Sequence, residues 1–271
     1  MGFWRRRRQS VPAAQPIDPV DSVHDCADGL VECAFATARG ARPDNQDRCA
    51  VSPRWAVLSD GAGGHAGGAL AAQLTVDTVL SRLQASDGEL SAELLGEAAS
   101  RANDAVRQGR HDPAVAGMAA TLIVAVATSA DEEGSSWLVA NVGDSRAWLV
   151  TADTATQITE DDNVAAQLVR SGELTPEQAL AHPGRNWITR AIGSEGSVEP
   201  RITPVRLRLG EALLLASDGL DVLSTGTIAE IMAAGSSPAD VASTLVRSAL
   251  AHGSLDNVTA AVVRHVSEAH Q

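Results

Sequence analysis

Residues 55–83 read WAVLSDGAGGHAGGALAAQLTVDTVLSRL. The run Trp55-Ala56-Val57-Leu58 is a short apolar strand that carries the chain to Asp60. Glycines dominate from Gly61 to Gly68, and Ala69, Ala72, Leu74, Val76, Val79, Leu80 and Leu83 then supply one broad apolar helix stripe. The order is strand, carboxylate, glycine turn, helix. Backbone without side chains can approach a ligand closely, and the first NH groups of the helix favour an anion. None of the glycines is arranged as GxxxxGKS, or as GxGxxG behind a strand, so nucleotide binding is not supported.

Outward from this stretch, short apolar segments recur at 120–128, 136–142, 146–150, 201–209, 211–217 and 257–266. Several alternate apolar with small or polar residues, as strands buried on one face do. Residues 205–215, VRLRLGEALLL, read as a hairpin through Gly210 and Glu211, and the turn VGDSR (142–146) joins two more strands. A second long helix is predicted over 91–109. A later pair covers 227–235 and 238–253, with Ser91 and Asp240 near helix starts and Gly235 and Gly253 near helix ends. Residues 160–193 hold two short helices that interrupt the strand-rich middle. Antiparallel sheets with helix pairs on their outer faces follow, an α+β layering and not a Rossmann pattern.

The chain has 271 residues and a net charge of −13, long enough for a large core and too acidic for a general nucleic-acid surface. All basic residues are Arg. Pro12, Pro16 and Pro19 make residues 1–27 a disordered tail before one domain over 28–267, with 268–271 trailing it. The arginines at 5–8 have no apolar run behind them, so the start is not a signal peptide; Phe3, Trp4 and these arginines could touch an anionic membrane. No run is long enough to span a bilayer. Cys26, Cys33 and Cys49 show no CxxC spacing and read as reduced thiols, which places the chain in the cytoplasm.

Asp47, Asp60, Asp144, Asp218 and Asp256 each stand where an apolar segment meets a turn. Any one of them could be an ordinary turn former. Gathered at the rim of a sandwich, they would repel one another. A hard divalent cation such as Mg²⁺ or Mn²⁺ would offset that charge, and no His or Cys cluster argues for zinc. Arg42 lies just before Asp47 and could take a phosphate or carboxylate with its fork.

In order, RPDNQD, LSDGAGGHAGG, GMAATLIVAV, NVGDSRAWL, RNWITRAIG, LLLASDGL and DNVTAAVV resemble the motifs of metal-dependent protein phosphatases of the 2C (PPM) type, above all bacterial ones, from about residue 30 to 264. The resemblance implies a four-layer αββα sandwich. It also implies hydrolysis of phosphoserine and phosphothreonine in substrates of a serine/threonine kinase, by a hydroxide bridging two Mn²⁺ or Mg²⁺ ions. Carried over, Asp60, the Gly61 carbonyl, Asp218 and Asp256 are direct ligands, and Asp47 acts through metal-bound water, with Gln46 a further candidate of that kind. Asp144 belongs to a third metal, Arg42 holds the phosphate, and 160–193 is the flap that selects substrates. Arg42, Asp60 and Asp218 form the catalytic set. A monomer with no transmembrane segment and no nucleic-acid partner is expected.

Three positions depart from the family pattern. Gln46 stands where Glu is usual, which predicts weaker binding at one metal. SDGLDVLS is one residue short, so Asp221 does not map onto the acid that helps the third metal. Ala62 replaces a His or Met and cannot pass a proton to the leaving oxygen; His65 and His182 are not promoted to that role, and water is expected to supply it. A catalytically weak regulatory protein of the same fold, or a hydrolase of small phosphate esters, are the alternatives.

Overall fold

The structure, a computed structural model, describes residues 4–5, 22–63, 65–86, 90–110, 113–194 and 196–267. In chain order the elements are β1 (Trp4–Arg5), β2 (Ser22–Ala27), β3 (Val31–Ala38), β4 (Asp47–Ser52), β5 (Trp55–Ala62), α1 (His65–Gln84), α2 (Ala92–Gln108), β6 (Ala119–Ala120), β7 (Leu122–Asp131), β8 (Gly134–Val142), β9 (Arg146–Val150) and β10 (Ala155–Gln157). They continue with α3 (Val164–Arg170), α4 (Pro176–Ala181), β11 (Trp187–Ile188), β12 (Arg201–Arg208), β13 (Ala212–Ala216), α5 (Thr225–Ala234), α6 (Pro238–Ala251) and β14 (Val258–His265). One sheet has the order β10-β9-β13-β14-β3-β2 and the other β12-β8-β7-β5-β4, with β6 added beside β5; a small third pairing joins β1 to β11. Every pairing is antiparallel.

Three apolar layers hold the fold together. Leu58, Ile123, Trp137, Val139, Leu213, Leu215, Ala261 and Val263 meet between the sheets. Val57, Val124, Ala140 and Val142 face α1 and α2. Leu214, Ala260 and Val262 face α5 and α6. Neighbouring residues such as Leu213, Leu214 and Leu215 therefore alternate between two dry environments, as the two-residue period of a strand dictates. This is why the central strands are near-continuous apolar runs although the sheets are antiparallel: helices close the outer faces. The α+β reading and the αββα layering hold.

The turn at 209–211 differs from the sequence expectation. β12 pairs with β8, whereas β13 lies between β9 and β14 in the other sheet. The segment is a crossing between sheets and not a hairpin. Buried and exposed positions alternate in the second half of β12, as on a half-covered edge strand, while all of β13 is buried. Both edges of β13 are taken by β9 and β14, so none is left for β12, which pairs with β8 instead. The chain also changes sheet between β3 and β4 and between β8 and β9, and these two crossings carry site residues.

Two further expectations need correction. Residues 22–27, assigned to the tail, form β2 on the edge of the first sheet, in register with β3. The rest of the tail, apart from β1, and residues 268–271 lie outside the described residues. Cys26 and Cys33 are not reduced thiols: they stand opposite each other on β2 and β3 and are joined by a disulfide. Their spacing is unremarkable in sequence, and only the register makes them neighbours. Cys49 is free. No helix among the described residues is long and apolar enough to cross a membrane.

Candidate active site

One pole of the sandwich collects the carboxylates, because strand ends from both sheets arrive there. Asp47 opens β4 directly opposite Asp60 near the end of β5. In the other sheet Asp218 follows β13 and Asp256 precedes β14, two strands that pair with each other. The Asp47 carboxylate reaches across the sandwich. Its Oδ2 accepts hydrogen bonds from Ser217 Oγ and Thr259 Oγ1, both at 2.7 Å. Asp47 is 4% exposed, and its Oδ1 is buried with no hydrogen-bond partner among the described residues. Burial pushes its pKa from 3.8 up to about 6; the two hydroxyls pull it down, while the charges of Asp256 and Asp218 add to the rise.

Asp60 is held through its backbone. Its NH donates to Thr121 Oγ1 at 2.9 Å and its carbonyl accepts from the Thr121 NH at 2.8 Å. That leaves its side chain, 5% exposed, to be aimed by a rigid strand end. Gly61 is required for a steric reason: a Cβ there would overlap the carbonyl of Gly68 at the start of α1. Gln46 lies against the same spot, since a Cβ on Gly68 would strike its Oε1. Ala62 is buried and offers no proton donor. The His65 side chain lies outside the described residues.

Arg42 Nη2 donates to Asp256 Oδ2 at 2.6 Å, with both side chains about a third exposed, 33% and 27%. Its loop is held by Asn257, which donates to the carbonyls of Arg39 and Asp44 and accepts from the Gln46 NH. Asp144 sits in the turn between β8 and β9 and is 3% exposed. Beside it Arg146 spans Asp161 at 2.7 Å and Asp221 at 2.6 Å. Desolvation in this cleft raises the Asp221 carboxyl; Arg146 opposes the rise, and Asp218, Asp161 and Asp144 reinforce it. Asp221 therefore faces the site through an arginine, a partner the shortened SDGLDVLS run did not reveal.

The cleft continues into a cavity of about 460 Å³ between these acids and the segment 160–193, lined by Asp144, Asp218, Asp221, Arg170, Leu180 and Arg185. His182 caps a turn within that segment, its ring accepting from the Gly184 NH. Cys49 packs against the inter-sheet core, and burial pushes its thiol up, so no nucleophilic thiol is present there. The residues missed in sequence are the supports: Thr121, Ser217, Thr259, Asn257, Arg146, Asp161 and Asp162. Ser217 and Thr259 stood inside quoted motifs, but a hydroxyl beside an Asp reads as turn chemistry until its distant partner is known.

The donors fit a hard divalent cation in kind. They are carboxylates and a backbone carbonyl, and Asp47 keeps an orphaned buried oxygen. Among the described residues no group of three or more His, Cys, Asp or Glu is already disposed as a ligand set. Arg42 holds Asp256, and hydroxyls hold one oxygen of Asp47.

The family model for protein phosphatase 2C matches residues 38–256, most of the chain. The chain belongs to the protein phosphatase 2C family. It is 38% identical over 239 residues to the serine/threonine protein phosphatase PstP of Mycobacterium tuberculosis, covering 86% of this chain but only 45% of that protein's length. It is 35% identical over 216 residues to the protein phosphatase PhpP of Streptococcus pneumoniae, covering 76% of this chain and 84% of that one. The solved catalytic domain of PstP in complex with 2 manganese ions superposes with a TM-score of 0.77 at 33% identity, covering 88% of this chain and 99% of that one. This phosphatase-family chain thus shares its fold with the solved PstP catalytic domain.

Proposed function

We propose that this phosphatase-family chain hydrolyses phosphoserine and phosphothreonine in proteins with the help of two Mn²⁺ or Mg²⁺ ions. The observation that carries the reading is the convergence of Asp47, Asp60, Asp218 and Asp256 from both sheets on one pole, with Arg42 beside Asp256 at 2.6 Å. Asp60, Asp218, Asp256 and the Gly61 carbonyl would hold the ions. Asp47 and Gln46 would act through their hydration water, and Asp144 would serve a third position. When bound, the ions supply the positive charge that acidifies water and draws electron density from phosphate. The Arg42 fork would grip two phosphate oxygens and balance their charge as the ester bond breaks. Thr121 would keep Asp60 in place during turnover, and Ser217 and Thr259 would keep Asp47 from swinging. With Ala62 at the turn, the departing alcohol would take its proton from water.

The substrates would be proteins phosphorylated by serine/threonine kinases, entering over segment 160–193 as the flap. Cytoplasmic placement and a monomeric state belong to the same proposal, although the disulfide removes the thiol argument for the former. The test is phosphate release from a phosphothreonine peptide with Mn²⁺ or with EDTA, beside Asp218→Asn. Activity should require the metal and fall by about 10²–10³-fold in the variant. Release that survives both chelation and substitution, or none with Mn²⁺, sinks the reading.

A further inference from the structure

Both ends of segment 160–193 meet on one buried carboxylate. Asp162 lies at its start with a side chain 1% exposed. Arg190, from the far end, forms an ion pair with it at 3.3 Å, and Arg201, on the edge strand β12, forms a second. The Asp162 carbonyl accepts from the Thr189 NH at 2.7 Å. Its remaining bonds go to the turn that presents Asp144. The Gly143 NH donates to Oδ2 at 3.2 Å, and the Asp162 NH donates to the Gly143 carbonyl at 3.0 Å.

The turn is held equally firmly on its other side. Ser145 Oγ and Thr121 Oγ1 are 2.7 Å apart, and that Thr121 oxygen is the one that accepts from the Asp60 NH. Gly143 has φ +104°, and a Cβ on it would come within 2.7 Å of Thr121 Cγ2, so the turn packs flush on Thr121. A continuous run of direct hydrogen bonds therefore leads from the Asp60 backbone through Thr121 and the 143–145 turn to Asp162 and the flap.

We propose that Asp162 is a positioning residue that locks the two ends of segment 160–193 to the Asp144 turn, so that flap and turn move as one unit. A buried carboxylate shared by two arginines and a backbone NH has one low-energy arrangement, because each alternative strands the carboxylate charge away from water. Loosening either end of the flap removes the turn's support on the Asp162 side, and the coupling is reciprocal. A peptide held by the flap thereby biases the turn that carries Asp144. This last step rests on the phosphatase reading; the mechanical coupling does not.

The test is hydrogen exchange on the full chain with EDTA, comparing wild type with Asp162→Asn. Amides of the flap and of the 143–145 turn should both exchange at least tenfold faster, at exchange times during which β13 and β14, which open only on global unfolding, stay protected in both proteins. A turn that keeps wild-type protection while the flap loosens overturns the proposal, as does an equal loss of protection everywhere. If Asp162→Asn does not fold, Arg190→Gln decides by the same criteria. A kinetic arm uses the phosphothreonine peptide. A positioning role raises KM and the Mn²⁺ concentration for half-maximal rate together, several-fold, whereas a plain structural staple lowers kcat through the folded fraction alone. If wild type shows no turnover, the functional reading fails and the exchange result still judges the coupling.

Discussion

Asp47 and Asp162 are both buried acids at the same pole, and they are treated in opposite ways. Asp162 is met by two arginines and a backbone NH. Asp47 is met by two neutral hydroxyls, faces the like charges of Asp256 and Asp218, and has one oxygen with no hydrogen-bond partner among the described residues. The first is a finished structural unit. The second is a buried charge that only neutral hydroxyls meet among the described residues, the setting in which a nearby cation would be stabilising.

The same conservative change should therefore act with opposite sign at the two places. The largest effect is expected for Asp162→Asn, which leaves two arginines, each about a third exposed, facing a neutral amide; a loss of about 3 kcal/mol in urea unfolding is expected. A loss under about 1 kcal/mol would place Asp162 with ordinary surface ion pairs. Asp47→Asn should instead stabilise the chain in EDTA at neutral pH, by at most about 3 kcal/mol, the free-energy equivalent of a pKa rise from 3.8 to about 6. Excess Mn²⁺ should erase or reverse that gain. Destabilisation in EDTA would show that the hydroxyls alone satisfy the charge.

The comparison sharpens with pH. The raised Asp47 pKa means that the folded chain holds this proton more tightly than the unfolded one. Its stabilising share is complete below about 3.8 and is lost as pH rises through about 6. The EDTA-treated wild type should thus lose stability between those values relative to Asp47→Asn, and identical slopes in the two melting-temperature profiles would reject the assignment. The smallest effect is expected at Gln46→Glu. One more charge beside Gly68 and Gly61 should tighten Mn²⁺ binding by about tenfold or less, the worth of a partly screened charge pair. Titration calorimetry with indistinguishable affinities would show that Gln46 is not near the ion.

Much of this was legible in the chain. The apolar runs, the helix stripe after Gly68 and the capping Ser91 are signals that act within a few residues. The candidate acids were legible because each interrupts an apolar run at its end. Long-range matters were not. VRLRLGEALLL looks like a hairpin because a two-residue turn between strands usually makes one; the pairing of β13 with β9 and β14, and of β12 with β8, overrode that local preference. The Cys26–Cys33 pair depended on the register of β2 with β3, in a segment that sequence assigned to a tail.

By itself the sequence determined the layered α+β class, the family, and the set of acids that could serve as ligands, since periodicity, turn residues and motif order are properties of short stretches. Only the tertiary structure decided which side chains support that set. Ser217 meets Asp47 across 170 residues of chain, and Arg201 meets Asp162 across 39. Such partners are chosen by where two sheets bring their strand ends, and a hydroxyl or guanidinium carries no local mark of the carboxylate it will face.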